Sequence, residues 1–195
     1  MGHREDLLDG AAACLYQKGF GRTTARDVVA VSGTNLASIG YHFGSKEALL
    51  TDAAVRATAE WTEALDGALA RVDPAGTPQE RVEQTWRAVV ELYTSHRKVW
   101  VTYVESLAEA ARSPRLHEAL VGAQHQTREE LASMFHALPE DPAEADRRTR
   151  VLGGLYQALL TGLMVQWTVD PDGAPTGAEI AEGLRMLVDS PELAR

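Results

Sequence analysis

From Val151 to Val169 the chain carries no charged side chain over 19 positions. A segment of that kind has to be covered, so the rest of the chain must supply the cover. A membrane-spanning helix needs about 20 predominantly apolar residues. This stretch contains Gln157, Gln166 and three glycines (Gly153, Gly154 and Gly162), and it stands alone. It reads as a helix buried in protein, and no membrane partner is expected.

The remaining sequence supplies helices. Apolar residues recur at helical spacing, and no segment alternates apolar and polar residues long enough to point to a sheet. Residues 5–18 set Leu8, Ala11, Ala12 and Leu15 on one face, with Gly19 as terminator and Phe20 as a plug for the core. Further helices are expected at 24–32, from a Thr34 cap to about Phe43, from Ser45 to about Val72, and at 78–95, 97–111, 114–137, 142–169 and 176–188. Pro74, Gly76 and Pro78 mark a loop, and breaks fall at Ser113-Pro114, Pro139 to Pro142 and Asp170 to Pro175. The expectation is an all-α chain of about nine helices, with a three-helix head at 1–47 and a larger helical body at 48–195.

The net charge is −9, which argues against a polyanionic partner until its distribution is considered. Residues 1–50 balance five basic side chains (Arg4, Lys18, Arg22, Arg26, Lys46) against five acidic ones (Glu5, Asp6, Asp9, Asp27, Glu47). The whole excess therefore lies in the body. Attraction to phosphate is local and screened beyond about 10 Å, so a neutral head on an acidic body is compatible with nucleic acid. The single cysteine, Cys14, excludes an intramolecular disulfide and fits a cytoplasmic protein. Ala11-Ala12-Ala13-Cys14 resembles a lipoprotein cleavage site, but Glu5, Asp6 and Asp9 interrupt the apolar stretch a signal peptide needs.

The head holds the most informative motif. Thr24 followed by Asp27 is a capping-box pattern, Val28, Val29 and Val31 give the short helix apolar surface, and Ser32-Gly33 breaks it. Two short helices joined by a tight glycine turn over residues 24–43 form a helix-turn-helix. In the second helix Ile39 and Phe43 anchor one face, extended by Leu36, while Asn35, Ala37, Ser38, Tyr41 and His42 face outward. That outward face is small or hydrogen-bonding and has no acid, as a helix entering the major groove of double-stranded DNA requires. Tyr41, His42 and Lys46 lie toward the far end, where phosphates would pass.

The run from Thr24 to Leu50, and above all Tyr-His-Phe-Gly-Ser-Lys-Glu-Ala-Leu at 41–49, resembles the DNA-binding head of TetR-type repressors. The resemblance covers about residues 5–50. It implies phosphate contacts from Thr24, Tyr41, His42 and Lys46, and base-edge contacts from Asn35, Ala37 and Ser38. Gly40 departs from the pattern, where many members carry a larger residue, so no contact is carried over to it. The resemblance also implies a homodimer on a palindromic operator, and release of DNA by a small-molecule effector in the body.

Within the charge-free segment Gly154, Ala158 and Gly162 form a ridge of small residues, flanked by Leu155, Leu159 and Leu163. The resemblance implies that 142–169 and 176–188 pair with their two-fold mates in a four-helix seam, with Leu184, Leu187 and Val188 contributing. Packing of the ridge inside one subunit is the alternative. Trp86, Tyr93, Trp100, Tyr103 and Gln157 are the candidate lining of a pocket for a hydrophobic or aromatic ligand, with Trp61, Met134 and Phe135 as company and Glu105 and His96 as sources of polarity. Aromatic stripes of this kind also serve simply as core.

No phosphate-binding loop or nucleophile motif is present, and His117, His125 and His136 are spaced too widely to chelate from one helix turn. No cofactor, no metal and no catalytic residue is expected. The rival reading is an all-α enzyme or small-molecule-binding protein whose head only resembles a DNA reader. A third is a regulator governed by a protein partner.

Overall fold

A computed structural model describes residues 2–135 and 140–190. Among them every regular element is helical: α1 (His3–Lys18), α2 (Ala25–Ser32), α3 (Leu36–Phe43), α4 (Lys46–Leu69), α5 (Pro78–Ser95), α6 (Arg97–Ala110), α7 (Pro114–Phe135), α8 (Pro142–Arg148), α9 (Gly154–Val169) and α10 (Gly177–Val188). A π-helical turn, Thr149–Gly153, joins α8 to α9 with the backbone right-handed at both junctions. The helix expected over 142–169 is thus one continuous rod with a wider turn inside it. Counted so, the described residues hold nine helices. His136 and the start of the break expected at Pro139 lie outside the described residues.

The helix ends follow local chemistry. Thr24, Thr77 and Thr176 each accept the amide proton three residues on, while Asp27, Glu80 and Glu179 reach back to the capping residue's own amide. These reciprocal bonds satisfy two donors that a helix start otherwise leaves orphaned. Ser45 Oγ accepts from the Ala48 amide at 3.1 Å, as the start of α4 requires. The cap of α3 differs from expectation. Asn35, not Thr34, occupies it, with Oδ1 accepting from Ser38 N at 3.0 Å, while the Thr34 hydroxyl pairs with Ser32 Oγ. Asn is as good a cap as Thr or better, and it sits one residue nearer the helix.

The chain divides into two compact units. The first comprises residues 1–61 and 98–129. Its core takes Leu8, Leu15, Val28 and Ile39 from the first three helices and Leu116 and Leu120 from α7. Ala12 is half-buried and Val31 is exposed, so the apolar faces of α1 and α2 are narrower than their sequences imply. Arg56 ties α4 to α1 through Asp9 at 2.6 Å and Glu5 at 3.4 Å. Ser113, which caps α7, hydrogen-bonds the Glu47 carboxylate at the start of α4. The residue 47/48 boundary expected between head and body falls inside this unit.

The second unit comprises residues 62–97 and 130–195. Here α5 packs most extensively against α10. Gly177 makes that approach feasible: a Cβ there would sit 2.4 Å from Arg87 N. Tyr93 is buried in α5 and donates its hydroxyl to the Leu160 carbonyl of α9 at 2.7 Å. Phe135 and Tyr156 stack with centroids 4.3 Å apart.

Candidate nucleic-acid interface

The helix-turn-helix is built by α2, Gly33 and α3. Gly33 adopts φ 69° and ψ 16°, the left-handed conformation that ends α2 and turns the chain at little cost only for glycine. α3 is only eight residues long, little more than two turns. Ser38 and Ile39 are buried, His42 and Phe43 are half-buried, and Leu36, Ala37, Gly40 and Tyr41 are exposed. The helix is therefore rotated relative to the sequence reading. Ser38 is only 9% exposed, which corrects its assignment to the base-reading face; Leu36, expected in the core, is 51% exposed. The packed side is centred on Ile39 and leans toward Ser38 and His42, so the first apolar residue of the helix overhangs the core.

The aromatic end of α3 is ordered by its neighbours. Tyr41 is 86% exposed, and its ring meets His42 edge-on at 4.9 Å. The Arg4 guanidinium lies 5.3 Å from the centre of the Phe43 ring, a cation–π distance. Lys46 opens α4 and donates its ammonium to the Thr23 carbonyl at 2.9 Å. That bond fixes the cation beside the α1–α2 connection and leaves two further N–H donors on the same nitrogen.

Thr24 is exposed, but its hydroxyl proton goes to Asp27 Oδ2 at 2.8 Å. It has no second proton to give a phosphate, which corrects the donor role expected of it. Asp27 in turn accepts from Lys18 at 2.6 Å. The Lys18 bond, followed by the bonds from Thr24, lowers its pKa from 3.8 to about 2, so the cap is ionised at neutral pH. Asn35 uses Oδ1 for the cap of α3, and its NH2 group remains the part able to donate to a base edge.

The five candidate ligand residues fall in different units. Trp100 meets Trp61 edge-on at 4.6 Å and Tyr103 at 6.3 Å within the first unit, where Tyr103 packs on the head core. Trp86 and Tyr93, both buried, and Gln157, half-buried, belong to the second unit. Tyr93 is held by its bond to Leu160, and burial pushes its phenol pKa well up, so it is a structural residue.

The charge-free helix carries an exposed apolar stripe. Val151, Leu155, Ala158, Gly162, Val165 and Val169 are all exposed, and their spacing alternates four and three. Gly154 is half-buried beside the stripe and Leu163 is buried, so the uncovered surface is not the every-fourth ridge read from sequence. In α10 Leu184 is half-buried, while Met186, Leu187 and Val188 are exposed. The stripe was hidden in the sequence because the whole segment is apolar and offers no polar residues to mark its faces. Among the described residues no helix is long and apolar enough to cross a membrane, and no three His, Cys, Asp or Glu side chains converge to hold a metal.

Two short helices around a left-handed glycine turn, carried on further helices, define a helix-turn-helix protein. Residues 7–53 match the bacterial regulatory proteins of the tetR family, and residues 78–190 match the C-terminal region of BetI-type transcriptional repressors. The chain belongs to the TetR family of transcriptional regulators. It is 31% identical over 112 residues to the HTH-type transcriptional repressor KstR2 of Mycobacterium tuberculosis, a match covering 57% of this chain and 54% of that one. The chain thus spans about half the length of the curated relatives it matches. Similar folds include the transcriptional regulator SCO7518 of Streptomyces coelicolor A3(2), at 23% identity and TM-score 0.68, covering 96% of this chain and 99% of that one. They also include the multidrug binding protein EbrR complexed with imidazole, at 24% identity and TM-score 0.68, covering 98% and 97%.

Proposed function

We propose that this chain is a repressor that binds a two-fold-related pair of DNA half-sites as a homodimer, and that a small hydrophobic or aromatic ligand releases it. The observation that carries the reading is the exposed side of α3, flat and free of acid, followed at its far end by Tyr41, His42 and Lys46. A short helix of that profile enters a major groove, and cations at its far end meet the flanking phosphates. In this reading residues 1–47 contact DNA, with Asn35 and Ala37 toward bases and Tyr41, His42 and Lys46 toward phosphates. Residues 48–195 supply dimerisation and ligand binding.

The dimer is supported by the α9 stripe. Two copies related by a two-fold axis would cover Leu155, Ala158, Gly162 and Val165 with one another, and α10 would add Leu187 beside them. The small residues at 158 and 162 permit a close crossing. Two heads on one dimer then read related half-sites, and linkage through the dimer multiplies their separate affinities. The ligand reading is supported by the shared fold with EbrR, solved with imidazole and with proflavin.

The test is selection of bound DNA from a random pool by the full chain, followed by gel shifts across salt concentrations. The expected result is an inverted repeat whose binding weakens steeply with salt, as counterion release demands. Absence of any sequence-preferring complex at low salt would sink the reading. Thermal-shift screening with proflavin and other planar or apolar compounds checks the ligand: a stabilising compound should also dissociate the DNA complex.

A further inference from the structure

We infer that Leu36 is a specificity-determining residue that reads the C5-methyl group of a thymine in each half-site. The inference rests on the DNA-reading role proposed for α3 and adds a residue that the sequence motif placed in the core. Leu36 occupies the first position of α3 and is 51% exposed, beside exposed Ala37. The hydrogen-bonding groups expected on this turn are largely withdrawn from it. Ser38 is buried, and Asn35 Oδ1 is held by the Ser38 amide. What the first turn offers outward is therefore mainly two apolar side chains.

In the major groove each base pair presents donors and acceptors, and thymine alone adds an apolar group, its C5-methyl. A leucine there has one favourable target. Gly40 lies one turn further along the same side, and a Cβ built on it meets nothing within 4 Å. That bare position leaves room for the base edges to come close to the helix behind Leu36. A glycine inside a helix is locally unfavourable, and so is an apolar side chain left in water. Close apposition to a thymine-bearing groove turns both into contacts.

The experiment replaces each thymine of the selected operator, one at a time, with deoxyuridine, which lacks only the methyl group and pairs the same way. The full-length wild-type protein should lose about fourfold in affinity at one position per half-site, the effect of one buried methyl-sized group. With Leu36→Ala that loss should vanish, while Leu36→Met should retain most of it. Circular dichroism checks that both variants are folded. If wild-type protein binds its operator and no uracil substitution matters, the Leu36 assignment is wrong and the DNA-reading role stands. If the loss persists in Leu36→Ala and disappears in Ala37→Gly, the methyl is read by Ala37 and the assignment is overturned. If no operator can be selected at all, the proposed function and this inference fail together.

Discussion

Two helices expose apolar surface, and they differ in a way that assigns each a partner. On α3 the exposed set is Leu36, Ala37, Gly40 and Tyr41 over barely two turns, with His42 half-buried beside it and Lys46 following at the next helix start. On α9 the exposed stripe runs from Val151 to Val169 without one charge. A short apolar patch ended by cations suits a partner that is apolar in places and anionic at its rim. A long uncharged stripe with regular four-three spacing suits only another apolar helix. The difference lies less in hydrophobicity than in what surrounds it.

The largest test breaks the α9 half of that contrast. Leu155→Glu together with Val165→Glu places like charges on facing helices of the proposed seam. The expected result by light scattering is a monomer, with operator affinity reduced by roughly 100-fold because the two heads no longer act together. A dimer that survives both charges would move the interface elsewhere. On the α3 side, Lys46→Ala should weaken binding by about tenfold on every DNA sequence and lower the salt slope by about 1. A loss confined to one operator variant would make Lys46 a base reader instead.

Asn35→Ala sharpens the same side at smaller scale. Removing the α3 cap should cost about 1 kcal/mol in chemical denaturation and change base preference at a single position. An equal affinity loss on all sequences would leave Asn35 as a cap alone. The smallest effect is on acid stability. Asp27 titrates at about 2 in the folded chain against an ordinary 3.8. A carboxyl held down in this way contributes stability that is complete above its ordinary pKa and is lost as pH falls from about 4 toward 2. Glu144, lowered by its bonds to Arg147 and then Arg148, acts in the same direction. The difference between wild type and Asp27→Asn should therefore shrink across that window and stay constant from pH 5 to 7, as read from denaturation midpoints.

The all-helical fold was legible because helix boundaries rest on local chemistry. Thr24 with Asp27, Gly33 and Pro78 each act within a few residues, and the structure places element ends close to where they point. Orientation was less legible. Ile39 and Phe43 fix the packed side of α3 only approximately, and an eight-residue helix has too few turns to correct the error. The choice of Thr34 as cap, when Asn35 fills that position, hid the fact that Leu36 begins the helix. The exposed side of α9 was illegible for the opposite reason. A segment without polar residues has no contrast from which to read a face, and only the placement of Leu160, Leu163 and Met164 in the core reveals the other side.

The π turn at Thr149–Gly153 bears on inheritance as well as on shape. A π turn accommodates one residue more than an α-helical turn of the same rise without breaking the helix. Loss of a single codon in that stretch would restore an uninterrupted α-helix and swing everything after it by roughly 100° about the axis relative to α8. Every residue of the stripe would survive the deletion, yet the stripe would point in a new direction. A lineage could in this way exchange one quaternary arrangement for another by a single in-frame deletion, with no substitution on the surface that does the pairing.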